Sequence, residues 1–98
     1  MINLKQQLTS DVAGIILKYV KSEKGRLTWI SEVASINRSE FNRRGLAKMK
    51  HHRLLRIIYA LSLNLKEKEF HEFMHEISET ILCYAEDYDE YLLTQPHD

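Results

Sequence analysis

A chain of 98 residues, 44% hydrophobic and 29% charged, is long enough for one modest core; its size excludes two independent domains and its composition excludes a disordered polymer. No run of about 18 apolar residues is available to span a bilayer, the start MINLKQQLTSD lacks the basic segment and apolar stretch of a secretory signal, and Cys83, the only cysteine, excludes an internal disulfide or a Cys-pair zinc site, so a cytoplasmic protein in a reduced compartment is expected. The net charge of zero conceals an asymmetry: residues 1–65 carry 12 Lys+Arg and 4 Asp+Glu, residues 66–98 carry 2 and 10, which points to an anionic partner for the first part.

Alternating strand patterns are absent, while helical spacing recurs at Val12, Ile15, Ile16 and Tyr19, and again at Leu54, Ile57, Ile58 and Leu61, so the predicted class is all-α. Ser10 is expected to cap a first helix running to about residue 23, with Gly25 as its stop. Gly14 lies inside that pattern at a cost of up to ~1 kcal/mol relative to Ala, which a close helix contact would explain. Thr28 is expected to cap a second helix. Asn37 precedes Glu40, and Asn64 precedes Glu67, at the spacing of reciprocal caps, which places helix starts near Arg38 and Leu65. Gly45 falls where the third helix should weaken or turn, and a fourth is predicted over residues 51–62.

The stretch ISEVASINRSEFNR, residues 30–43, carries the most specific pattern. Ile30 and Ala34 face inward from one short helix, Ile36 follows a tight turn, and Phe41 faces inward from the next, with small Ser31 and Ser35 where the two come closest. This spacing resembles the helix-turn-helix of the Cro and phage-repressor family. KSEKGRLTWI and LLRIIYALSLNL, residues 54–65, resemble that family's second-helix entry and fourth helix, so the likeness spans roughly residues 10–70. Ser35 stands where the family usually has glycine, and Arg44 where it usually has an apolar residue; Leu46 or Met49 is expected to supply the core contact instead.

The resemblance implies a five-helix Cro/repressor-like domain that lays its third helix in the DNA major groove, and symmetric dimers on near-palindromic sites. By position, Arg38, Ser39, Asn42 and Arg43 would contact bases: arginine can pair bidentately with guanine, asparagine with adenine, and serine with either. Glu40 is assigned to its cap. Lys24, Arg26, Thr28, Arg44, Lys48, Lys50, His51, His52 and Arg53 would form a phosphate footing, of which KMKHHR, residues 48–53, is the densest part. Adjacent His51 and His52 point in different directions on a helix and make poor joint metal ligands. Trp29 reads as core or half-buried edge.

From Phe70 onward, Phe70, Met74, Ile77, Ile81, Tyr84, Tyr88 and Tyr91 form a heptad seam on a long acidic amphipathic helix, with Phe73 and Leu92 widening its face. The stripe can fold back on the core or pair with a second chain. Pairing is preferred because a helix of this length outreaches a small core, and the chain divides into a DNA-binding domain, residues 1–65, and an acidic dimerisation extension, residues 66–98. HEFMH, residues 71–75, matches the His-Glu-x-x-His zinc-peptidase pattern. A peptidase also needs a third ligand, for which Glu90 and His97 are candidates, and a cleft edged by a strand. On the helical wheel His71 and His75 instead lie on the polar shoulder of the apolar stripe, so the pentad reads as plain helix and neither metal nor catalysis is expected.

The expected function is sequence-specific binding of double-stranded DNA by a homodimeric transcriptional regulator, with no cofactor, no small-molecule substrate and no membrane partner. The alternative is a helical protein-interaction module on the same scaffold that makes no direct DNA contact.

Overall fold

The computed structural model describes the backbone of residues 4–94 and the side chains of residues 6–86. Its elements are α1 (Leu4–Val20), α2 (Arg26–Ala34), a 3-10 helix (Arg38–Glu40), α3 (Arg43–Ala47), α4 (His51–Asn64) and α5 (Glu67–Thr94), and the described residues contain no strand. The all-α expectation holds. None of the helices among the described residues is long and apolar enough to cross a membrane.

Helix α1 is the hub, packing on α3 and on α5, while α2 packs on α4. Every α-helix sends a fully buried apolar side chain to one shared core: Ile16 and Val20 from α1, Ile30 from α2, Leu46 from α3, Ile57 and Leu61 from α4, Phe73 from α5. The inward positions read from the sequence, Ile30, Ala34, Ile36 and Phe41, are all buried, and both Leu46 and Met49 join them.

Several boundaries differ from expectation for local reasons. Ser10 lies inside α1 rather than capping it, and α1 ends at Val20 because the Tyr19 carbonyl accepts from the Ser22 hydroxyl at 2.8 Å and from an Arg26 Nη1 at 2.9 Å. Gly25, in the left-handed region at φ 85°, occupies the cap position of α2, so Thr28 sits exposed within its first turn. Asn64 ends α4 instead of capping α5; its Oδ1 accepts from Arg26 Nε at 2.7 Å, and α5 begins at Glu67.

The C-terminal seam is divided by the fold. Along α5 the buried face follows Phe70, Phe73, Ile77 and Tyr84, with Phe73 edge-on to Tyr19 at 5.2 Å between ring centroids. The Tyr84 hydroxyl donates to Asp11 Oδ2 on α1 at 2.5 Å. Ile77, expected in a seam between chains, is therefore interior to its own chain, while Met74 and Ile81 are exposed; the side chains of Tyr88 and Tyr91 lie outside the described residues. Phe73 and Met74 both fit a helical stripe through Phe70 and Ile77, and the larger aromatic wins the place against Tyr19. The hydrophobic core thus runs across the expected division at residues 65 and 66.

Candidate nucleic-acid interface

The turn after α2 is closed by a residue in an unfavourable conformation. Ser35 has φ 55° and ψ 47°, the only non-glycine residue with positive φ among the described residues. The Ile36 amide reaches back to the Ser31 carbonyl at 3.0 Å and the Ser31 hydroxyl donates to the Ile36 carbonyl at 2.5 Å, which satisfies the helix end and points Ile36 into the core.

The next segment begins at Arg38 as expected but does not continue as one helix. Asn37 and Glu40 form the reciprocal cap, with Asn37 Oδ1 accepting from the Ser39 amide at 3.1 Å and Glu40 Oε2 from the Asn37 amide at 3.3 Å. What they cap is the 3-10 helix, which breaks at Phe41. Asn42 then starts α3 by accepting from the Gly45 amide at 2.7 Å. A Cβ at Gly45 would collide with the Glu40 carbonyl, so glycine there lets the 3-10 helix fold directly onto α3.

This geometry sorts the four expected base-contacting residues. Arg38 is exposed with no ion pair among the described residues. Ser39 is exposed, its hydroxyl sharing Asn37 Oδ1 at 3.1 Å. Asn42 is exposed, but its Oδ1 caps α3 and its Nδ2 donates to the Ser39 carbonyl at 2.8 Å, so both ends of the amide needed to read adenine are engaged within the chain. Arg43 is exposed but draped over α1, where a Cβ on Gly14 would strike its guanidinium. That is the close contact the helical glycine accommodates.

The expected phosphate footing also divides. Lys24, Thr28, Arg44, Lys48, Lys50, His51 and His52 are all exposed, and none forms an ion pair among the described residues. Residues 41–66, which include most of them, contain no Asp or Glu. Arg26 is engaged within the chain. Only 3% exposed, it donates to Tyr19 O, Ser22 Oγ, Glu23 Oε2 and Asn64 Oδ1 and stands 3.7 Å from Glu69, tying the ends of α1 and α4 to the start of α5. Arg53 is held by Glu40 at 2.7 Å, and its hydrogen bond keeps the Glu40 carboxyl below the usual range. Arg56, not assigned from the sequence, is exposed on α4 without an ion pair among the described residues; its place three residues beyond Arg53 was the available signal.

Of the HEFMH residues, His71, Glu72 and His75 line an open groove between α1 and the start of α5, with Lys18, Tyr19 and Glu76. Glu76 pairs with Lys18 at 2.6 Å, which lowers its pKa, and the Tyr19 phenol is pushed up to about 12, first by burial and then by the Glu76 carboxylate beside it. His71 and His75 are exposed, His75 lying 3.9 Å from Glu79, and among the described residues no three His, Cys, Asp or Glu side chains gather as a metal site. The side chains of Glu90 and His97 lie outside the described residues.

Comparison with protein-family models, curated proteins and solved structures finds no match for this chain.

Proposed function

We infer that the chain is a sequence-specific DNA-binding protein of the helix-turn-helix kind, a homodimeric transcriptional regulator that acts by occupancy, without a catalytic step, cofactor or small-molecule substrate. The observation that carries this reading is the acid-free stretch of residues 41–66, which presents Arg43, Arg44, Lys48 and Lys50 beside Arg38 on the 3-10 helix, all exposed and without ion pairs among the described residues. Such a surface exchanges condensed counterions for side-chain cations when it meets a duplex. In this reading Arg44, Lys48, Lys50, His51 and His52 hold phosphates, Arg38 reaches a base edge, and Arg43 joins it on leaving α1. The likeness of residues 30–43 to Cro-type proteins supports the same assignment. Fluorescence anisotropy against a random duplex pool tests it: affinity should fall steeply with salt, each lost phosphate contact flattening the log–log slope by ~0.9. No complex at low salt would end the reading.

A second reading, a protein-interaction module without DNA contact, draws on the engaged Asn42 amide and on a five-residue α3. There the acidic end of α5 would mask the cationic surface. Replacing Glu79, Glu86, Asp87, Asp89 and Glu90 by their amides separates the two, since this second reading expects no DNA affinity even after the acids are removed.

A further inference from the structure

Helix α4 is apolar on two sides. Ile57, Ala60 and Leu61 face the core, and the opposite side carries Leu55 and Tyr59, each 62% exposed, and Leu63, a stripe at i, i+4, i+8 facing solvent. The helix contains no acid, and Arg56 borders the stripe. The far part of α5 is its complement. Beyond Ile77 it exposes Ile81 and Leu82, and residues 78–94 hold five acids and no Lys or Arg.

We propose that the outer face of α4 is the docking site for the C-terminal half of α5 from a second copy of this chain, in a two-fold exchange where each molecule gives one helix end and receives another. The charges match, an acid-free helix with Arg56 beside its stripe against a segment with acids and no Lys or Arg. So do the lengths: α4, with 14 residues, is ~21 Å long and residues 78–94 are ~25 Å long. A continuous α5 packed along α1 cannot turn back on its own α4, which packs on α2, so the complement comes from another molecule. The exchange is self-complementary, as a two-fold interface must be, and uses the patch twice. It refines the dimeric part of the reading above and needs no DNA contact.

Sedimentation equilibrium of the full chain without DNA tests it, so its failure is separate from failure of DNA binding. The wild type should be a dimer at micromolar concentration. Tyr59→Glu and Ile81→Glu change exposed positions; each should keep its helical circular dichroism and weaken the dimer by ~30-fold or more. Mixing the two variants is decisive, because the mixed dimer retains one undamaged α4–α5 contact and should associate more tightly than either variant alone. A monomeric wild type, a Tyr59→Glu chain that dimerises normally, as α5–α5 pairing would give, or a mixture no tighter than its components would each overturn the proposal.

Discussion

Two groups of cations in this molecule differ in what surrounds them. At the junction of α1, α4 and α5, Arg26 spends its guanidinium on four hydrogen-bond acceptors and is closed off from solvent. On the surface from Arg43 to His52 the cations have no ion-pair partner among the described residues. Arg26 counts in the +8 of residues 1–65 just as each surface Lys or Arg does, so formal charge overstates the charge a partner can meet. A cation is available only to the extent that the fold leaves its donors unspent.

The difference can be broken at several points. The largest effect is expected for Arg26→Leu, which takes the Arg26 donor from Asn64 Oδ1, Ser22 Oγ and Glu23 Oε2 and leaves Tyr19 O with the Ser22 hydroxyl, and should cost about 3 kcal/mol in urea unfolding, while leaving the salt dependence of the proposed DNA binding unchanged under folding conditions. Arg26→Lys should recover only part, since an ammonium lacks the planar fork. Arg44→Ala with Lys48→Ala should do the reverse: stability within about 0.5 kcal/mol of wild type, and a salt slope flatter by ~2. Ser35→Gly relieves the left-handed turn without touching either group of cations, and should stabilise by about 1 kcal/mol with no change in DNA affinity. Glu40 lies between the two situations. Because Arg53 lowers its pKa, the pair is fully formed above the ordinary carboxylate range and is lost as pH falls through the depressed folded value. Glu40→Gln should therefore return Arg53 to the surface and steepen the salt slope by ~1 at neutral pH.

Short-range patterns were readable from sequence, and long-range partners were not. Ile30, Ala34, Ile36 and Phe41 betrayed their burial by spacing alone, and the Asn37–Glu40 cap by its residue types, because each interaction closes within a few residues. Asn64 had the same cap signature before Glu67, yet Arg26, remote in sequence, takes its side chain. The break at Phe41 and Asn42 depends on a backbone approach that only Gly45 permits, and the letters alone did not distinguish it from continued helix. The C-terminal stripe was legible as apolar but not as to which flank is covered, since Phe73 and Met74 both suit the period. The intrachain partners of Arg26 and Arg53 were not legible for one reason: composition counts donors without showing their acceptors.

Helix α5, with 28 residues, is ~42 Å long and so must run along the longest dimension of a molecule measuring 52 × 28 × 19 Å. An 11.6 kDa chain of this elongated form drags more water than a sphere of that mass, and gel filtration will make a single chain look heavier than it is. If both rods are laid against a neighbour, the frictional ratio should fall as the mass doubles, giving the exchange a hydrodynamic signature of its own.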